Sequence, residues 1–550
     1  MATGLLTLSR ARSLRAVPPN RLFGLVDGYL RWGLTLPFGY AFGAAARRHQ
    51  VAIVDELGSL TYAEVHWRTT RLAHGLAGQG IRAGHTVGLL CRNHRGFVES
   101  LVACGKLGAH ALLLNTGLGA EQLLSVLGEH GVAAVIADDE FNDRLRDLSD
   151  DVVVVTAWTE TGPGKSRERA LTVAGLIDTA PVVPLPRRPP GTVITLTSGT
   201  TGTAKGARRP ELASLAPVAA LLRRVPLRGG EPWLVSGPLF HTWGLAMSQI
   251  GVALGATLVL HRSFDPAAAL AAVDRYRCTC LFAVPVMLHR ILELPAAQRA
   301  RHDLSCLRVV ASSGSALPAR LSIAFQREFG PVLYNLYGST EVSLVSVATP
   351  GDLRTAPDTV GRPPAGTRLA ILDESGAELP PGRTGQIFAV NALRFGGYTD
   401  GTGVAVRDGL TATGDVGRVD DAGRLFVIGR MDDMIISGGE NVYPGQTEEV
   451  LAALPQVREV AVVGVPDREW GQRLAAFIVL ADGAKLSADG VREHVRARLA
   501  VFSVPREVTF LDELPRNATG KIVKRRLGRP GEGTSPAAEP GATPRDGSPG

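Results

Sequence analysis

The chain predicts an α/β protein: a large N-terminal domain of stacked, mostly parallel sheets, followed by a small C-terminal α+β domain. Three observations carry this. Short apolar runs alternate with helix-period segments from residue 51 onward, and the texture changes after "GRLFVIGRMDD". A chain of 550 residues with 45% hydrophobic and 20% charged content also has the make-up of a globular enzyme with a large core.

In chain order, residues 1–50 read as an N-terminal arm. Four arginines precede the first acid, Asp27. Arginine outnumbers lysine throughout, so the arm is taken as part of the domain rather than as a transit peptide. Asp27 and Arg31 interrupt the apolar run from Leu22 to Ala46 and exclude a spanning helix there. A cytoplasmic enzyme is expected, and a segment lying peripherally on a membrane surface is the alternative that stays open.

Residues 51–431 carry the alternation "TVGLLC", "GFVESLVACGKLGA", "HALLLN", "AEQLLSVLGEHG", "VAAVIAD", which reads as βαβ units. It resumes at "WLVSGPL", "ATLVLH", "CLFAVP" and "LRVVASSGSALP". Residues 432–527 form the small domain, with "VREVAVVGVPD" and "LAAFIVLAD" as strands and "VREHVRARLA" as a helix. Residues 528–550 hold six glycines and five prolines and are expected to be disordered.

The formal charge of +7 is spread along the chain, with "KIVKRRLGR" its densest basic run. It favours small anionic ligands and gives no reason to invoke nucleic acid. The five cysteines have no zinc-type spacing and read as buried thiols, with Cys278 and Cys280 expected to point the same way along one strand. Only six of the 59 basic residues are lysines, and two of these, Lys205 and Lys521, stand in glycine-containing motifs. A compact ammonium is needed where a guanidinium would not fit.

The run "TLTSGTTGTAKGA", residues 195–207, packs hydroxyls, glycines and Lys205 after a strand. Such a loop offers backbone N–H groups, hydroxyl donors and a point charge to an anion. It is not a Walker P-loop, because Lys205 is followed by Gly206 and the glycine spacing differs.

Together with "PLFHTWG", "SSGSALPA", "YNLYGSTE", "TGD", "GRMDDMIISGGENVYP" and "LPRNATGKIVKRRL", in that order, this loop resembles the signature of the adenylate-forming (AMP-binding) superfamily, in its acyl-CoA synthetase branch. The resemblance covers about residues 52–527. It implies a distorted barrel-like part within the large domain and a mobile small domain. It also implies the chemistry: a carboxylic acid is joined to AMP with loss of pyrophosphate, and the thiol of CoA then displaces AMP. ATP, CoA and Mg²⁺ are the cofactors so implied.

By the same resemblance, Thr197, Ser198, Gly199, Thr200, Thr201, Gly202 and Lys205 would hold the β- and γ-phosphates. Tyr337 would lie against adenine, with Gly314, Ser315 and Ala316 as the opposite wall and Asn335 at the base edge; Gly338, Ser339 and Thr340 complete that turn. Glu341 would hold Mg²⁺, an ion that prefers carboxylate and phosphate oxygens. Asp415 and Arg430 would contact the ribose. Lys521 would bridge the attacking carboxylate and the α-phosphate as the bond forms. His241 would gate the acid pocket beside Trp243, Asp432 would be the hinge, and Gly438 and Gly439 would leave room for the pantetheine arm of CoA.

The sequence departs from the family pattern at Ala204, Gln386, Gln446 with Thr447, and Ser503, where a lysine for CoA phosphate is usual. Lys524, Arg525 and Arg526 are read as solvated charge. The expected acid is a medium- or long-chain fatty acid, from the apolar arm and "PLFHTWGLA". An aryl acid, or a carrier protein as acceptor in place of CoA, is the rival within the superfamily. A silent acyl- or nucleotide-binding protein is the rival outside it, opposed by the presence of Lys205, Glu341 and Lys521 together.

Overall fold

The computed structural model describes residues 19–159, 171–198, 204–208, 215–393, 395–431, 433–437, 440–467, 471–517 and 520–527. These form two compact units. The larger runs to Met434 and includes residues 516–521; the smaller holds Ile435–Pro515 and the chain from Ile522 on.

Two sheets dominate the larger unit. In the six-stranded sheet the strands Val153–Trp158, Val132–Asp138, Thr86–Leu90, His110–Leu113 and Val193–Ser198 run parallel, and Ala204–Arg208 closes one edge antiparallel. The eight-stranded sheet has a parallel interior (Leu333–Ser339, Val309–Ser312, Cys280–Ala283, Pro232–Val235, Thr257–Val259, Val51–Asp55) with an antiparallel strand at each edge, Ser343–Ala348 and Gly58–Thr61. Parallel strands need helical crossovers and are covered on both faces, which is why their sequences are nearly continuous apolar runs.

One core gathers Val87, Leu89, Leu113 and Ile136 from the first sheet with Ile53, Trp233, Phe282 and Ala311 from the second. Between them lies the helix Tyr62–Gly78, opened by a capping box of Thr61 and Glu64. The opposite face of the eight-stranded sheet packs Leu234, Leu281 and Val310 on helices that include Pro266–Tyr276 and Pro285–Glu293. Cys280 faces the first core and Cys278 the second. They therefore point apart, contrary to the expectation of a shared face, because the strand begins only at Cys280 and Cys278 sits in the turn before it.

The arm helix Leu36–Ala46 belongs to this core: Tyr40 is fully buried, and Gly43 lies on the Tyr62 ring with no space for a Cβ. Among the described residues no helix is long and apolar enough to cross a membrane. The expected barrel-like part is an open antiparallel sheet of five strands, built on the long strand Leu410–Val419 with Gly385–Val390 on one side and Leu425–Arg430 pairing along it.

The smaller unit pairs the long antiparallel strands Val457–Asp467 and Gly471–Leu480, adds Glu507–Phe510 in parallel, and packs the helices Pro444–Ala452 and Ala488–Arg496 over Val462, Ala476 and Ile478. Within it Ser503 is buried and its carbonyl accepts from the Thr447 hydroxyl at 2.9 Å. Lys524 is not free solvated charge: its ammonium lies 2.8 Å from Glu448, whose carboxylate also accepts from the Val462 amide.

Candidate nucleotide and acid site

The site of the larger unit is assembled at the ends of its sheets. The strand Leu333–Ser339 ends in a tight turn that returns as Ser343–Ala348. The register slips between Tyr337 and Gly338, and Ser343 sits at φ 63°. A Cβ on Gly338 would come within 1.9 Å of the Ser343 carbonyl oxygen, so only glycine allows the strands this close. Asn391 pins the turn by donating to the carbonyls of Val342 and Leu344 at 2.7 and 2.8 Å. Ser339 Oγ accepts from the Val342 amide, and Thr340 and Glu341 form the tip.

This turn brings Tyr337 to Asp415. The phenol donates to Asp415 Oδ2 at 2.5 Å and reaches the Thr413 hydroxyl at 3.2 Å. Asp415 and Arg430 are register partners on adjacent strands, with the guanidinium Nε 3.5 Å from Asp415 Oδ1. Burial pushes the Asp415 carboxyl above its ordinary range, opposed by the Tyr337 hydrogen bond, Arg430 and Lys521. Burial, then the Asp415 charge, raises Tyr337 well above a normal phenol. Tyr337 therefore stays protonated and donates to Asp415. Asn335, on the same strand as Tyr337, is buried and donates to the Thr359 carbonyl at 3.3 Å. Gly314, Ser315 and Ala316 follow the neighbouring strand Val309–Ser312 and are exposed.

His241 caps the helix Thr242–Leu254 at the end of the eight-stranded sheet. It is half-buried beside Phe240, with ring centroids 5.1 Å apart, and its buried Nε2 has no hydrogen-bond partner. Burial, with the Lys521 charge, pulls its pKa down to about 4. Trp243 is held by a hydrogen bond from its indole N–H to the Ala283 carbonyl at 3.0 Å and meets Phe282 edge-on. Lys521 itself is exposed, its amide bound to Asn517 Oδ1 at 2.9 Å. Gly520 beside it is in contact range of Val286. The positive charge of Lys521 lowers the pKa of both His241 and Asp415.

Thr197 and Ser198 end the strand Val193–Ser198, and Lys205 is the second residue of its antiparallel partner; Thr197 pairs with Lys205 and Ser198 with Ala204. The tip residues Gly199, Thr200, Thr201 and Gly202 lie outside the described residues, as do Asp432, Gly438, Gly439 and the tail 528–550. Sequence reasoning passed over Tyr398, whose hydroxyl donates to Glu341 Oε1 at 2.5 Å. Only the "GGY" before "TDGT" hinted at a turn there.

The stacked parallel sheets, the small α+β unit and the ordered motifs they carry are those of an adenylate-forming enzyme. The family model of the AMP-binding enzymes matches residues 42–399, and that of the AMP-binding enzyme C-terminal domain matches 446–521. A feruloyl-CoA synthase of Amycolatopsis sp is 36% identical over 486 residues, 86% of this chain and 95% of that protein. The fatty acid–[acyl-carrier-protein] ligase ScoC of Streptomyces coeruleorubidus is 32% identical over 86% of this chain and 92% of its own. Among solved structures, the anthranilate CoA ligase AuaEII with anthranoyl-AMP superposes with a TM-score of 0.79 at 26% identity, covering 90% of this chain and 96% of that one. The chain belongs to the AMP-binding enzyme family, and is an AMP-forming acid–thiol ligase.

Proposed function

We propose that the enzyme joins an aromatic carboxylic acid to AMP and passes the acyl group to CoA. The observation that carries the adenylation chemistry is the hydrogen-bonded Tyr337–Asp415 pair with Arg430 as its register partner, with the exposed Lys521 in the same compact unit. The Thr197–Lys205 hairpin receives the β- and γ-phosphates, Asp415 and Arg430 take the ribose hydroxyls, and Lys521 neutralises the α-phosphate while the carboxylate attacks. Glu341 fits a magnesium ion: its hard carboxylate oxygens sit at the tip of a pinned turn, and the ion when bound would screen phosphate charge.

The aromatic reading is supported by the similarity to a feruloyl-CoA synthase and to an anthranilate CoA ligase, both named for aromatic acids. Trp243, fixed by its hydrogen bond to the Ala283 carbonyl, and the neighbouring His241 suit the face of such a ring. This replaces the fatty acid expected from the apolar arm, whose Tyr40 is buried in the core and unavailable to a substrate. A fatty acid loaded onto a carrier protein is the second reading, from the resemblance to ScoC.

Pyrophosphate release against ferulate, benzoate, anthranilate and the even alkanoates from acetate to palmitate, with CoA present or absent, tests both. The aromatic acids are expected to exceed every alkanoate at least tenfold in kcat/KM, with turnover requiring CoA. In the opposite case each added buried CH₂ would raise kcat/KM up to about fourfold until the pocket is full. A maximum at a long alkanoate would reject the aromatic reading and leave the adenylation chemistry intact.

A further inference from the structure

Residues 396–399 lie far in sequence from the phosphate hairpin and from Glu341, yet join them. The Thr399 amide donates to the Gly206 carbonyl at 2.7 Å, the Arg208 amide donates to the Gly397 carbonyl at 3.1 Å, and Ala207 and Tyr398 form an antiparallel bridge. The segment is thus joined by a single antiparallel bridge to the Ala204–Arg208 edge of the six-stranded sheet. The fit is close: a Cβ on Gly206 would meet His130 Nε2 at 2.5 Å and Thr399 Oγ1 at 2.6 Å, two atoms that face each other at 3.2 Å. From this edge the Tyr398 ring meets Phe395 edge-on, with centroids 4.9 Å apart, and its hydroxyl donates to Glu341 Oε1 on the turn of the eight-stranded sheet.

We infer that Tyr398 is a positioning residue for Glu341: its hydroxyl orients the carboxylate, and its backbone ties that carboxylate to the strand Ala204–Arg208, which carries Lys205. A carboxylate with one oxygen engaged presents the other in a fixed direction, so a metal ion held there keeps a constant relation to the phosphate hairpin.

This inference rests on the reading of Glu341 as the metal-holding group, and the test separates the two. Mn²⁺ affinity would be measured by electron paramagnetic resonance in the presence of a non-hydrolysable ATP analogue, for the full chain and for Y398F, E341Q and the double variant. Y398F is expected to weaken Mn²⁺ binding about tenfold, to raise the Mg²⁺ concentration for half-maximal pyrophosphate release by a similar factor, and to leave thioester formation from supplied acyl-AMP unchanged. In the E341Q background, Y398F should add nothing. Equal weakening by Y398F in both backgrounds, unchanged Mn²⁺ affinity in Y398F, or equal loss of both half-reactions would overturn the positioning role. If E341Q binds Mn²⁺ normally, the metal reading of Glu341 fails and takes this inference with it; if E341Q weakens binding and Y398F does not, only the inference fails.

Discussion

Lys521 and His241 show how single groups acquire function from what surrounds them. If Lys521 supplies the charge that forms with the acyl–phosphate bond, Lys521→Ala should lower pyrophosphate release by about 10²–10³ while thioester formation from supplied acyl-AMP persists. Equal loss in the two assays would remove Lys521 from the adenylation step. His241 makes a second expectation. Its folded pKa of about 4 lies below the unfolded value near 6.5, so the unfolded chain binds a proton first as pH falls. Stability from this group is complete above pH 6.5 and is lost between 6.5 and 4, at about 1.4 kcal/mol per pH unit. Urea midpoints at pH 7, 6 and 5 should fall less steeply for His241→Gln than for the native chain. His66, buried beside Lys106 with its pKa depressed to about 3, will add a parallel slope that this variant leaves in place. An unchanged slope would show that His241 is protonated or exposed in the folded state.

At the level of elements, the site depends on a hairpin turn as much as on the side chains it carries. Gly338 lets Leu333–Ser339 and Ser343–Ala348 approach where any Cβ would strike backbone. Gly338→Ala should cost about 1–3 kcal/mol through overpacking against an oxygen that cannot move without the strand. Because the same strand carries Tyr337, the KM for ATP should rise together with the loss in urea midpoint. A variant of native stability would mean that the turn relaxes freely. The buried cluster of Cys91, His94 and Asp138 shows the opposite outcome, chemistry-bearing groups used for structure. His94 Nε2 meets Asp138 at 2.7 Å, its Nδ1 accepts from the Gly96 amide, and Arg262 stands 3.9 Å from the same carboxylate. A cation would have to displace these partners and face a guanidinium.

For the whole molecule, the division between the two units after Met434 lies two residues beyond Asp432. The family resemblance assigns the two half-reactions to different orientations of the small domain, with Asp432 as the hinge. Proline there would fix φ near −65° and remove the amide donor. Asp432→Pro is expected to keep pyrophosphate release and lose CoA transfer. Normal overall turnover would place the hinge elsewhere.

The sequence by itself determined the class of fold and the chemistry of adenylation, because both are written in local order. Parallel strands covered on both faces read as apolar runs, and the loops proposed to meet ATP are contiguous motifs such as "TSGTTGTAKGA" and "NATGKI". Lysine scarcity singled out Lys205 and Lys521 by the same kind of local reading. It was silent on Lys106, which is fully buried and donates to Thr69, Thr70 and the His66 carbonyl, each at 2.8 Å. Only the tertiary structure decided which groups face one another. The Tyr337–Asp415 hydrogen bond joins residues 78 apart, the Tyr398–Glu341 bond joins residues 57 apart, and the Ala207–Tyr398 bridge crosses between separate parts of the chain. Cys278 and Cys280 part to opposite cores, and Lys524 finds Glu448, for the same reason. Periodicity reports which face of an element is apolar, whereas the partner across that face is set by strand order and register, and these are properties of the folded sheets.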